Sequence, residues 1–117
     1  MNMSPQRLAD YLGHIRDAIS RIERYTALLD EQDFLNNELI QDAVLRNFEV
    51  IGEARGRIEK HDKPFADAPP ELSCTAACQM RNVIAHGYFQ LDFRIVWRTV
   101  KSDLPRMRDE LIRQGDS

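Results

Sequence analysis

From Leu8 to Leu29 apolar side chains return every three or four residues, at Leu8, Tyr11, Ile15, Ala18, Ile22, Tyr25 and Leu29, a period that belongs to one face of an α-helix. Ser4-Pro5 just ahead of it offers a cap and a first-turn proline. A second stripe, Ile40, Ala43, Val44, Phe48, Ile51 and Ile58, predicts another long helix that Asn36 or Asn37 can cap. Gly52 and Gly56 lie inside it. Glycine in mid-helix costs up to about 1 kcal/mol against alanine, so each is expected to admit a closely packed neighbour, with fraying as the alternative at Gly56. The prolines between His61 and Pro70 predict a loop. A third helix is expected from Glu71 to about His86, with Leu72, Ala76, Met80 and Val83 inward and Gly87 ending it. Leu91-Asp92 reads as a staple and cap for a helix whose core face is Phe93, Val96, Trp97 and Val100, with Leu91 packing on Val96. Asp103-Leu104-Pro105 is expected to cap a last helix with Met107, Leu111 and Ile112 inside.

Such a pattern predicts an all-α class: an up-and-down bundle of four to five helices, residues 1–117 forming one domain around one core. The 61–70 loop joins two antiparallel pairs, because neither flank is long enough to enclose a core alone. The net charge of −3 excludes the global basic field that drives tight, sequence-independent nucleic-acid binding, so any RNA contact has to come from a local patch. Polar residues follow Met1 and no apolar run approaches the ~20 residues of a membrane span, so a cytoplasmic protein is expected. Cys74 and Cys78 are one helical turn apart without a third cysteine, which reads as packing of small residues rather than a metal or redox site. No zinc spacing, Gly-rich phosphate loop or Ser-His-Asp arrangement is visible, and neither metal nor cofactor is expected.

Chemistry concentrates in Arg81-Asn-Val-Ile-Ala-His86-Gly-Tyr88. Arginine is a permanent cation whose fork of donors matches phosphate oxygens, histidine moves a proton near neutral pH, and Gly87 lets the chain turn away after the helix. An Arg followed by a His after a few residues recurs at Arg7/His14 and Arg55/His61, but only the third copy carries Asn82 directly after the Arg and Gly-Tyr-Phe after the His. Asn82 and His86 are i, i+4 neighbours, so Asn82 can hydrogen-bond the imidazole or a substrate. Plainer readings stand beside each: a solvated Arg81, a surface Asn82, a His86 that complements the helix dipole, and Tyr88 and Phe89 as core aromatics. Glu49 and Glu53 also share a face, and a solvated face or ion pairs with Arg46 and Arg57 explain them better than acid–base work or a metal site. Arg106, Arg108 and Arg113 are interleaved with acids and read as surface.

Met80-Arg-Asn-Val-Ile-Ala-His-Gly-Tyr-Phe89, with Val44-Leu-Arg-Asn-Phe-Glu-Val-Ile-Gly-Glu-Ala54 upstream and Ile95-Val-Trp97 and Asp103-Leu-Pro105 downstream, resembles HepT-type toxins of the HEPN superfamily. The resemblance runs from about Gln41 to the C-terminus. It implies a small helical ribonuclease acting as a homodimer, the toxin of a type VII-like toxin–antitoxin pair. A minimal nucleotidyltransferase antitoxin (MntA-type) would neutralise it by adenylylating the tyrosine of the Arg-x4-His-x-Tyr motif, here Arg81, His86 and Tyr88. These residues permit metal-independent cleavage of RNA, in which the ribose 2′-hydroxyl attacks its own phosphate. His86 would move a proton and Arg81 would stabilise the charge on the phosphorane. One histidine does not serve easily as both acid and base, so a two-fold dimer that pools two copies of the motif in one cleft is expected. A non-catalytic helical module that partners a nucleotidyltransferase or binds nucleotides is the alternative.

Overall fold

A computed structural model describes residues 4–61, 75–87 and 91–115, with only the backbone of 75–79, 86 and 114–115. Helix α1, Pro5–Thr26, starts as its sequence dictates: the Ser4 hydroxyl accepts from the Arg7 amide at 3.2 Å, and Pro5 occupies the first turn, where its missing N–H costs nothing. Its buried face is Ile15, Ala18, Ile19, Ile22 and Thr26, while Leu8, Tyr11 and Leu12 are partly buried against the same core. The helix stops short of Leu29.

A short helix, α2 (Glu31–Leu35), follows that the apolar period does not announce. Asp30 and Asp33 close a reciprocal capping box, with each carboxylate accepting from the other's backbone N–H at 2.8 and 3.2 Å. The element exists to seat Phe34, which is fully buried and lies 5.3 Å from the Trp97 ring and 6.1 Å from that of Phe93, centroid to centroid. Helix α3, Glu38–His61, begins where Asn37 Oδ1 accepts from the Ile40 amide. From α3 the buried Gln41 donates to the carbonyls of Phe34 and Leu35 at 2.9 and 3.1 Å, satisfying the open end of α2. Val44, Phe48, Ile51 and Ile58 bury as expected, joined by Leu45 and Ala54, and Gly56 does not fray the helix, which runs unbroken to His61.

Helix α4 is Thr75–Gly87. Glu71, Leu72 and Cys74 fall outside the described residues, as do the side chains of Ala76 and Cys78. One inward assignment is corrected: Met80 is buried, but Val83 is 48% exposed and Ile84 is the residue that turns to the core. The inward row steps by four here rather than three, a choice that a 3.6-residue period leaves open.

Asp92 caps helix α5 (Phe93–Arg98), accepting from the Arg94 amide at 2.9 Å. Hydrogen bonds from the Arg94 side chain and backbone hold this carboxyl below its ordinary pKa. Val96 and Val100 are buried, with Leu91, Phe93 and Trp97 packed against the core at its edge. The expected fresh cap at Asp103 is also corrected. The chain continues through a π-helical stretch, Thr99–Asp103, into α6 (Leu104–Gly115), and Asp103 pairs with Arg106 at 3.1 Å. Pro105 has no N–H to give the preceding turn, and the helix absorbs the proline by widening; the Leu104 amide reaches back five residues to the Thr99 carbonyl. Leu104, Met107 and Leu111 line the buried face, whereas Ile112 is 49% exposed.

Helix α3 is the axis of the assembly: α1 and α4 both pack on it, and α2, α5 and α6 close the remaining side. The start of α1 meets the second half of α3, since Tyr11 and His14 share a cleft with Val50, Glu53, Ala54 and Arg57, so the two run antiparallel. Arg108 donates to Glu23 at 2.6 Å, tying α6 to α1 across the chain while remaining at the surface, as expected. The described residues contain helices and no strand, and none of those helices is long and apolar enough to cross a membrane.

Candidate functional site

Met80 and Ile84 fix how α4 lies on α3, and that docking decides where Arg81 goes. One residue on from Met80, position 81 is turned by about 100° around the axis, to the seam between the two helices. Its aliphatic stem crosses α3 at Gly52, where a methyl group in place of the glycine hydrogen would sit 2.8 Å from Arg81 Cβ and Cδ and 3.3 Å from Cγ. Carbon atoms ordinarily meet at about 3.5–4.0 Å, so only glycine leaves room for this arginine. The guanidinium continues one turn along α3, and a Cβ at Gly56 would lie 3.7 Å from Nη1. Both glycines thus face Arg81, as a seat for its stem at Gly52 and as ordinary contact with its head at Gly56.

The guanidinium ends in an open pocket of about 380 Å³ lined by Glu53, Gly56, Arg57, Lys60, His61 and Arg81. Positions 53, 56, 57 and 60 form one face of α3. Among the described residues that line it, three permanent cations stand against one carboxylate, a charge of +2 before His61 is counted, in a chain whose net charge is −3. Glu53 and Arg57 stand 3.8 Å apart with both side chains more than half exposed, a solvent-screened contact of little strength. Glu53 is thereby accounted for as an ion-pair partner, as its spacing suggested. Among the described residues neither Lys60 nor Arg81 makes an ion pair.

Of the residues singled out in the sequence, Arg81 has a structural setting of its own and Asn82 is exposed beside it on α4. His86 belongs to the last turn of α4, but its imidazole, Tyr88 and Phe89 lie outside the described residues. Helical register separates positions 81 and 86 by about 140° and positions 82 and 86 by only about 40°. Sequence reading did not assign Arg57, Lys60 or His61. Their i, i+3, i+4 spacing was visible, but not that this face of α3 meets Arg81. Among the described residues no three His, Cys, Asp or Glu side chains converge as metal ligands would.

An antiparallel helical fold with an arginine seated at a helix seam beside a cationic pocket defines the class, a small all-α protein. The profile of a family described as "Ribonuclease HepT-like" matches residues 15–113, which include both glycines and the whole of α4, and the chain belongs to that HepT-like family of the HEPN superfamily. "Probable ribonuclease HepT" of Thermococcus cleftensis is 38% identical over 99 residues, covering 85% of this chain and 87% of that protein. A "Putative RNase" of Methanocaldococcus jannaschii is 30% identical over 109 residues, covering 93% and 97%. A third relative, named "Gamma-glutamylcyclotransferase and putative RNase" and also from M. jannaschii, is 34% identical over 103 residues, which are 88% of this chain but only 45% of that longer protein. No solved structure matches the chain significantly.

Proposed function

We propose that this protein is a ribonuclease that cleaves RNA without a metal ion, as the toxin of a toxin–antitoxin pair, with Arg81 and His86 as its catalytic residues and Asn82 in support. The observation that carries this reading is the built seat of Arg81: a family of ribonucleases matches the chain across the motif, and α3 gives up a side chain at Gly52 to hold that arginine over a cationic pocket. A cation fixed this way is preorganised for the charge that develops on a phosphorane. Attack by the neighbouring 2′-hydroxyl needs only proton transfer and charge stabilisation, which a histidine and an arginine supply, and it restricts the substrate to RNA. The protein would work as a homodimer. Register places positions 81 and 86 about 140° apart on α4, and a two-fold axis would supply a second copy of each to a shared cleft.

The purified protein incubated with a defined RNA in excess EDTA is expected to produce fragments ending in a 2′,3′-cyclic phosphate, at a rate equal to that without chelator. Inhibition by EDTA, reversed by added divalent ion, would overturn the metal-free mechanism. Fragments with 5′-phosphate and free 3′-hydroxyl ends would overturn the 2′-hydroxyl attack.

Tyr88 is the proposed control point, adenylylated by a partner nucleotidyltransferase of the minimal type. An added AMP would bring a phosphate able to compete for Arg81, the cation that the transition state uses. Tyr88→Phe should cleave RNA at a rate close to wild type, since no step uses the phenol, yet escape silencing by the co-expressed partner. If peptide mass spectrometry finds AMP on other residues only, or if the variant is silenced as fully as wild type, the switch is not at Tyr88.

A further inference from the structure

We infer that the pocket at the C-terminal end of α3 is a phosphate subsite for the RNA strand, in which Arg57 and Lys60 bind a backbone phosphate adjacent to the one that Arg81 serves. The inference rests on the ribonuclease reading above and extends it to residues outside the motif. Four observations carry it. Arg57, Lys60 and His61 of α3 and Arg81 of α4 line one concave pocket, so the cations come from two elements rather than from one solvated helix face. Gly56 lines the same pocket, and a Cβ there would lie 3.7 Å from Arg81 Nη1, in ordinary contact with the guanidinium. Arg57 is held only by an exposed 3.8 Å contact to Glu53, which a phosphate with its strong acceptor oxygens can displace. Lys60 and Arg81 make no ion pair among the described residues.

Basic residues in a helix's last turn also complement its dipole, and that plainer role has to be weighed. The dipole leaves about half a negative charge at the helix end, which Lys60 alone offsets. Arg57, one turn earlier, and Arg81, from another helix, bring the pocket well beyond neutrality. The same half charge opposes a bound anion, but three full positive charges outweigh it together with Glu53. The ligand class is a phosphodiester rather than a carboxylate surface, because a planar guanidinium fork beside a compact ammonium suits one multi-oxygen anion held at several points. Arg81 lines the same pocket as Arg57 and Lys60, so a strand whose cut phosphate meets Arg81 would pass its neighbouring phosphate over Arg57 and Lys60.

The test is the double variant Arg57→Gln, Lys60→Gln, which keeps helix-favouring side chains and removes two charges. Binding is measured by fluorescence anisotropy with a labelled, mixed-sequence 2′-O-methyl RNA, which cannot undergo 2′-hydroxyl attack, over a range of salt concentrations. Affinity should fall about tenfold or more near physiological salt, and the slope of log affinity against log salt should flatten by about 0.7 for each phosphate that the protein no longer neutralises. With cleavable RNA the loss should lie mainly in KM. Wild-type affinity and salt slope in a variant that merely melts earlier would overturn the subsite and leave the dipole role. A fall in kcat at unchanged KM would also overturn it, placing the residues in the chemistry. The two readings fail separately. Salt-dependent binding through Arg57 and Lys60 by a wild-type protein that cuts no RNA upholds the subsite and sinks the nuclease, whereas cutting unaffected by the double variant sinks the subsite alone.

Discussion

Gly52→Ala should lower stability by about 1–3 kcal/mol and reduce RNA cleavage at least tenfold, although alanine is the better helix former. The reason is local and geometric. The new methyl would lie 2.8 Å from two carbons of Arg81, one of them the Cβ, which cannot swing away because it is fixed to the backbone of α4. Relief requires α3 and α4 to separate or the arginine stem to leave its seat, and either movement takes the guanidinium away from the pocket. Gly13, in the middle of α1, is the matched control. A methyl there meets nothing within 4 Å, so Gly13→Ala should follow intrinsic propensity and raise stability by up to about 1 kcal/mol with unchanged cleavage. Urea melts give the two signs, and single-turnover cleavage gives the activity. Stabilisation by Gly52→Ala at full activity would mean that Arg81 does not need this seat.

Local signals were the ones legible in the sequence. Ser4 before Pro5, Asn37 ahead of α3 and Asp92 ahead of α5 all cap as their chemistry dictates, because a cap is settled within three residues. The long apolar stripes of α1 and α3 read correctly for the same reason. What escaped was decided by distant partners. Helix α2 is too short to show a period, and its cause is the burial of Phe34 beside Trp97 far along the chain. Pro105 looked like a helix start because proline favours the first turn; the fold instead keeps a continuous helix and moves the strain into a π turn. The site divides similarly. Arg81 stood out through the residue types around it, and the two glycines of α3 were expected to meet a close neighbour, but no single sequence says which helix face turns to which. Hence Gly52 and Arg81 could not be paired, nor Arg57 and Lys60 added to the site, until the docking of α4 on α3 was in view.

Arg81→Ala and His86→Ala should each reduce cleavage by two orders of magnitude or more, which is the usual scale for losing a charge-stabilising donor or a general acid–base group. Helical content and melting temperature should stay near wild type, since Arg81 is an exposed residue and Met80 and Ile84 keep α4 buried in the core without it. The more telling experiment mixes the two inactive chains. Register sends positions 81 and 86 about 140° apart on α4, so a cleft containing both groups at the reacting phosphate is most simply assembled from two copies across a two-fold axis. Light scattering should then report about twice the 13.6 kDa chain mass at micromolar concentration. Refolding the variants together allows protomers to exchange, and a mixed dimer retains one Arg81 and one His86. Partial activity should return in the mixture and be absent from each variant alone. A fully active monomer would rule out the shared cleft and require each protomer to bring its own Arg81 and His86 to the phosphate, whereas mixed dimers verified by mass spectrometry that stay inactive would rule out a site completed by one Arg81 and one His86 and leave a cleft that needs both histidines.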